Sequence, residues 1–271
     1  MRLEADGERV IEEHYLDSPE RSLIYLFHIV TYRFCLPWIT GGKVLDYGCG
    51  SGYGSHMVAA HCRHITGVDI SADAVAYAKH NYHQDNLEFL QISPADAAPL
   101  PFDDASFDAV ISFQVIEHMA DPQAFLAEIR RVLKAGGDFV CATPDRSTRL
   151  LPGQKPWNVW HVREYDRAGF SAALGSIFDS VEVFGMGGRP DVLQRELQRA
   201  TVNKWLTLPF TLPFIPEYLR IRTLHWLKRL HGALSANNER RVWPDAFTEA
   251  DIFIAADVRP SLNLIAVARK Q

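Results

Sequence analysis

The sequence predicts an open, doubly wound α/β sheet, and three observations predict it. The apolar run Lys43-Val44-Leu45 leads into a turn with glycines at 48, 50 and 52, and a helix-like run, His56-Met57-Val58-Ala59-Ala60, follows. Further short apolar segments recur at Ile65–Val68, Leu87–Gln91, Ser106–Ser112, Asp138–Ala142 and Leu262–Ala268, as the buried strands of such a sheet do. Two acids, Asp46 and Asp69, stand at the ends of the first two apolar runs, where open α/β sheets place their ligands.

The glycine turn comes first in the chain and says most. Without a Cβ, glycine lets the backbone fold sharply and bring its N–H groups against a ligand. A dinucleotide fingerprint needs Gly-x-Gly-x-x-Gly, but its third glycine falls on Tyr53 counted from Gly48, or on Ser55 counted from Gly50. The pattern here is Gly-x-Gly-x-Gly, with Asp46 two residues ahead of it. That carboxylate would repel a pyrophosphate and suits a cationic amino group. Asp69, seventeen residues after Gly52, can accept hydrogen bonds from both hydroxyls of a ribose. A nicotinamide dehydrogenase is therefore disfavoured.

With these residues the chain resembles the class I S-adenosylmethionine-dependent methyltransferases, and the resemblance continues in order over residues 43–144. The run Ala95-Asp96-Ala97-Ala98-Pro99-Leu100-Pro101-Phe102 matches the segment that brackets adenine in that family. Phe113-Gln114-Val115-Ile116-Glu117-His118-Met119 is similar to its loop after the fourth strand, and Leu133-Lys134-Ala135-Gly136-Gly137 to its turn before the fifth. The resemblance implies S-adenosyl-L-methionine as cofactor, with Asp46, Gly48, Gly50 and Gly52 around its methionine end. It also implies Asp69 and Ile70 at the ribose, and Asp96, Ala97 and Gln114 completing the site. It implies a Rossmann-like sheet of seven strands, order 3-2-1-4-5-7-6, the last antiparallel. The expected domains are an N-terminal helical cap, 1–40, and a methyltransferase domain, 41–271, with an insertion at 187–243. A loop is expected at 145–165, then a helix and strand at 166–186.

Composition sets limits. The chain has 271 residues, 47% hydrophobic, enough for one domain with insertions. No apolar run is long enough to span a membrane, and the N-terminus is too acidic for a signal peptide. Cysteines 35, 49, 62 and 141 show no paired spacing, which with the rest leads to the expectation of a cytoplasmic protein. A net charge of −5 and the absence of an Asp/Asn-Pro-Pro-aromatic run after the fourth strand disfavour nucleic acid as substrate.

Methyl transfer to a hydroxyl needs an aligned acceptor and somewhere for its proton to go. The candidates lie beyond the fourth and fifth strands: Glu117 and His118, then His161, Glu164 and Tyr165 in the Trp-rich run 157–165. His118 and His161 are taken as the catalytic pair, although a histidine at 118 could equally hold backbone carbonyls. Metal is not expected. His61-Cys62-Arg63-His64 and His80-Asn81-Tyr82-His83 fall away from the acceptor side, and a cation at Glu117 and His118 is weighed but not adopted. The acceptor is expected to be a small molecule, a sugar, glycan or lipid-linked intermediate. The alternatives are a quinone-pathway methyltransferase and a non-catalytic cofactor-binding module.

Two segments lie outside the core pattern. Asp6-Gly7-Glu8-Arg9 and His28-Ile29-Val30-Thr31-Tyr32-Arg33-Phe34 resemble methyltransferases found beside glycan-assembly enzymes, whose leading helix closes over the methionine end; His28 and Tyr32 share a helix face. Between Arg189 and Trp243 ten Lys/Arg stand against four Asp/Glu, a net +6 that leaves −11 for the rest. Pro209, Pro213 and Pro216 interrupt any helix there, and beyond them Leu219, Thr223, Trp226, Leu227 and Leu230 form an apolar stripe. The stripe is expected to pack on the sheet's edge or in a homodimer, with peripheral contact to anionic membrane as the alternative.

Overall fold

The computed structural model describes residues 19–235 and 247–271. Within them Pro19–Phe34 (α1) and Leu36–Ile39 (α2) precede Lys43–Tyr47 (β1), Tyr53–Ala59 (α3), His64–Asp69 (β2), Ala72–Asn81 (α4), Leu87–Gln91 (β3) and Phe107–Phe113 (β4). Then follow Pro122–Val132 (α5), Leu133–Pro144 (β5), Arg146–Arg149 (α6), Arg167–Gly175 (α7), Ser180–Gly188 (β6), Pro190–Thr207 (α8), Glu217–Ser235 (α9), Ile252–Ala255 (β7) and Asn263–Arg269 (β8). The motif Asp6-Gly7-Glu8-Arg9 lies outside the described residues.

Local chemistry starts and stops these elements. Asp121 accepts from the N–H groups of Gln123 and Ala124 at 3.0 and 3.1 Å, with Pro122 opening α5. Ser71 and Asp166 cap α4 and α7 in the same way. Pro209 ends α8, and a single 3-10 turn, Leu208–Phe210, replaces the helix that the prolines forbid.

The sheet has eight strands, not the seven expected, in the order β3-β2-β1-β4-β5-β8-β6-β7. The five strands β1 to β5 run parallel, and β8 enters antiparallel between β5 and β6. The added strand is β7, pairing antiparallel with β6 through Met186 and Ile254 among others. Without it the expected order holds. Its four residues carry an exposed Phe253 and follow an acidic turn, so no apolar alternation announces them. A second correction concerns β5, which begins at Leu133 because Leu133 pairs with Phe107, so the expected turn is a glycine bend within the strand, with Gly136 at φ +76°.

Alternate residues of the central strands feed two cores. Val44, Ala109, Ile111, Val140, Ala142 and Ile265 pack beneath α1 and α3. Leu45, Val110, Phe139, Cys141 and Leu264 pack beneath α5 and α7. Burying both faces leaves the carboxyl ends of β1 to β5 as the place where polar residues can gather. The four cysteines are free thiols, all buried. No described helix is long and apolar enough to cross a membrane.

Candidate functional site

The glycine turn closes over the end of β1 with Gly48, Gly50 and Gly52 at φ +82°, +55° and +86°, a region that disfavours side chains. The N–H groups of Gly48 and Cys49 donate to the Val68 carbonyl at 2.8 and 3.0 Å, that of Gly50 to Asp69 Oδ2 at 3.0 Å, and that of Gly52 to the Cys49 carbonyl at 3.0 Å. The expectation that these amides point at a ligand is corrected: those of Gly48, Cys49 and Gly50 hold the turn against β2, and that of Gly52 closes the turn on itself. What the turn leaves open is space. A Cβ on Gly50 would meet nothing within 4 Å, whereas one on Gly48 would strike Val115 at 2.4 Å and one on Gly52 Ala78 at 2.6 Å.

Below the turn Asp46 is 1% exposed. Its Oδ2 accepts from Ser55 Oγ at 2.6 Å and from Tyr32 Oη at 3.0 Å, while its Oδ1, also buried, has no partner. Burial pushes the carboxyl up to about 6, against the lowering effect of the Ser55 and Tyr32 bonds. An unpaired carboxylate oxygen in a buried setting asks for a cationic donor. Tyr32 brings the leading helix into this contact and wedges against Phe113, with ring centroids 4.9 Å apart. His28, on the same helix, is lowered to about 4 by burial.

Asp69 closes β2 and accepts from Ser71 N–H at 2.8 Å as well as from Gly50; the neighbouring Ile70 side chain is exposed. Asp96 lends one oxygen to the N–H groups of Ala120 and Asp121 at 2.9 and 3.2 Å, which ties the segment after β3 to the loop before α5; Ala97 beside it is exposed. Gln114, half-buried at φ +58°, ends β4 and donates its N–H to the Ala142 carbonyl at 2.8 Å.

On the acceptor side the structure brings His118 and His161 together, their ring centroids 5.0 Å apart and their planes nearly perpendicular. His118 Nδ1 lies 3.0 Å from the Trp160 carbonyl, so the role of holding backbone is present, and it anchors the aromatic loop. His161 is buried, with Nδ1 2.8 Å from Glu164 Oε1 and Nε2 2.9 Å from Asn158 Nδ2. Arg149 donates to both Glu164 oxygens at 2.9 and 3.0 Å. Burial opposes the charge of Glu164, yet Arg149 and His161 hold its carboxyl at about 2. Glu117 is fully buried, and burial raises its pKa against the pull of His161 and His118. Tyr165 instead turns toward Phe170 in the core, 5.8 Å between centroids.

Arg149 and Arg220 were not anticipated. Arg220, buried in α9, donates to the carbonyls of Pro156 and Asn158 at 2.6 and 3.2 Å and pairs with Glu217, fixing the loop that carries His161. Of the apolar stripe, Thr223 and Leu227 are half-buried, whereas Leu219 and Trp226 face outward and do not pack on the sheet's edge; Arg220 and Leu224 form the buried side of α9. Trp205, Phe214 and Trp226 are 59%, 76% and 58% exposed, with Val202, Leu206 and Tyr218 also open.

Residues 45–141 match the family model described as Methyltransferase domain. A protein of Mycolicibacterium smegmatis named as a probable S-adenosylmethionine-dependent methyltransferase is 33% identical over 210 residues, 73% of this chain and 78% of that one. A ubiquinone biosynthesis O-methyltransferase of Maricaulis maris is 33% identical over 111 residues, 41% of this chain and 44% of its own length. In fold, the chain is similar to a Thermotoga maritima S-adenosylmethionine-dependent methyltransferase, possibly of histamine, with TM-score 0.57 over 96% of this chain and 98% of that one. At 15% identity that likeness concerns the fold alone.

Proposed function

The chain belongs to the S-adenosylmethionine-dependent methyltransferases, and from that premise we propose that it methylates a hydroxyl of a small-molecule acceptor, a sugar, glycan or lipid-linked intermediate. S-adenosylmethionine is its cofactor and supplies an electrophilic methyl group on a sulfonium sulfur. The residues present fit that cofactor: the unpaired Asp46 oxygen suits its amino group, and the open face of Gly50 leaves room for its backbone-side atoms. Asp46 and the glycine turn would hold the methionine end, Asp69 and Ile70 the ribose, and Asp96, Ala97 and Gln114 the remaining edge of the site. The cap of residues 1–40, the domain 41–271 and its insertion 187–243 belong to the same proposal.

The observation that carries hydroxyl methylation is the oriented imidazole pair beyond β4. A carbonyl can only accept, so His118 Nδ1 carries the proton it donates to Trp160. Glu164, held ionised by Arg149, likewise accepts a hydrogen bond from His161 Nδ1–H. Both rings therefore keep their basic lone pair at Nε2, and either, His161 once the Asn158 amide is displaced, can assist loss of the acceptor's proton. Likeness to the Maricaulis O-methyltransferase supports oxygen as the acceptor atom and favours, as second reading, a hydroxylated quinone precursor.

Screening sugar, lipid-linked and quinone acceptors with the purified chain tests this. His118→Ala and His161→Ala are expected to lower turnover at least tenfold, with the loss changing between about pH 6 and pH 9. Wild-type turnover in both variants over that range would mean that neither imidazole assists.

The exposed Trp205, Phe214 and Trp226, set among the basic residues of 187–243, support peripheral contact with anionic lipid. The portion 236–243 of that segment lies outside the described residues, and a homodimer contact over the same face is the competing reading. Pelleting with anionic but not neutral vesicles, lost at high salt, is expected from ~1 kcal/mol per well-placed Lys or Arg. Absence of pelleting at low salt, with a dimer in ultracentrifugation, would favour the competing reading.

A further inference from the structure

Glu117, His118 and His161 do more than line the acceptor side. One potential ligand atom from each lies within 4.8 Å of the other two. Glu117 Oε2 accepts from Thr143 Oγ1 at 3.0 Å, but Oε1 is buried and without a partner. Such an orphaned carboxylate oxygen is costly to bury unless something cationic meets it. The two imidazoles are set as metal-binding histidines are: each is oriented through Nδ1, one by a backbone carbonyl and one by a carboxylate, so that each lone pair sits at Nε2. Behind the carboxylate stands Arg149, which fixes its position in turn.

We propose that Glu117, His118 and His161 bind a divalent transition-metal cation whose remaining coordination positions face the acceptor. Two imidazole nitrogens and one carboxylate oxygen suit zinc, manganese, iron(II) or cobalt(II) better than calcium or magnesium, which prefer all-oxygen shells. The Asn158 amide, 2.9 Å from His161 Nε2, is the group such a cation would displace. The cation's role rests on the reading that places the acceptor hydroxyl here. The histidines would then assist proton loss through the cation, which lowers the pKa of a bound oxygen, instead of taking the proton themselves.

The test uses the full chain, treated with chelator and dialysed into metal-free buffer, then titrated with cobalt(II). One equivalent is expected, reported by visible ligand-field absorption and displaced by zinc. Glu117→Gln, His118→Ala and His161→Ala should each weaken cobalt binding by about ten- to a hundredfold. His80→Ala, at an exposed position of α4, should leave it unchanged. Calorimetry with S-adenosylmethionine, at near-native affinity in every variant, establishes that they fold. Normal cofactor binding with no cobalt spectrum, or a spectrum indifferent to the three substitutions, overturns the site. Cobalt binding in a chain that methylates no hydroxyl leaves the site standing and removes the acceptor reading. Undiminished hydroxyl methylation by metal-free protein keeps that reading and removes the cation from it.

Discussion

Replacing Asp46 by asparagine should make the free protein's stability relative to wild type rise with pH, and at the same time destroy its cofactor binding. The carboxyl, 1% exposed, has a pKa raised from 3.8 to about 6, chiefly by burial. At 1.36 kcal/mol per unit, keeping it ionised in the fold costs about 3 kcal/mol. Because the folded value lies above the unfolded one, the carboxyl's contribution is fully present below about pH 3.8 and lost as the pH rises through about 6. Asparagine escapes that loss. Its amide oxygen can still accept from Tyr32 and Ser55, while its NH2 replaces the unpaired Oδ1 with an unpaired donor. That exchange adds a constant of about 1–3 kcal/mol that does not vary with pH.

The pH slope is therefore the diagnostic. Relative to wild type, Asp46→Asn should gain about 2 kcal/mol between pH 4 and pH 7 and little beyond. In a domain of this size that is a rise of about 4 °C in the melting-temperature difference. Scanning calorimetry of both proteins without cofactor, at several pH values, measures it. A saturating cofactor concentration should then raise the melting temperature of the wild type and leave the variant unmoved. A difference that stays flat from pH 4 to pH 7, or a variant stabilised by S-adenosylmethionine as strongly as wild type, would falsify the assignment of Asp46 as a buried, cation-seeking carboxylate.

The other expectations are briefer. Gly50→Val should abolish cofactor binding at a folding cost of only ~1–2 kcal/mol, because its side chain enters open space at φ +55°; near-native affinity by calorimetry would refute this. Asp69→Ala removes the acceptor for Gly50 and Ser71 and should weaken cofactor binding by about two to four orders of magnitude, from two ribose bonds at ~1.5–3 kcal/mol each. Gly54→Ala would set a methyl 2.0 Å from the Tyr32 ring, so α1 must shift and stability should fall by ~1–3 kcal/mol in denaturant titrations. Arg220→Ala frees the Pro156 and Asn158 carbonyls and should raise the acceptor's KM while leaving cofactor affinity intact.

The candidate cofactor residues could be picked out from the sequence because each lies in the last residues of a strand or within a few residues after one. Asp46, Gly50, Asp69, Asp96 and Gln114 each follow an apolar run that can be read locally, and a strand buried on both faces brings its end to one rim. The use made of the glycine turn was not legible. Nothing in Gly-x-Gly-x-Gly says that Val68 and Asp69 take its N–H groups, since that depends on how closely β1 and β2 pair. The eighth strand escaped notice because one short ladder on β6 needs no long apolar repeat.

The acceptor half obeys a different logic. Its pieces come from the loop after β4, the loop after β5 and the insertion, and they meet only through hydrogen bonds between side chains and distant backbone carbonyls. His118 reaches Trp160 and Arg220 reaches Pro156, and neither contact has a period or spacing that sequence can display. The same contacts explain why Leu219 and Trp226 of the α9 stripe face outward. Hydrophobic periodicity assigns the buried side to Leu219 and Trp226, but the loop carbonyls of Pro156 and Asn158 draw the Arg220 guanidinium inward instead. Burial of Arg220 then obliges the aromatic side chains to face outward. The exposed Trp226 and the fixed position of His161 are thus two consequences of one guanidinium. Arg220→Lys separates them from a simple loss of charge: it keeps the cation but not the fork that bridges Glu217 and both carbonyls, and it should raise the acceptor's KM nearly as far as Arg220→Ala.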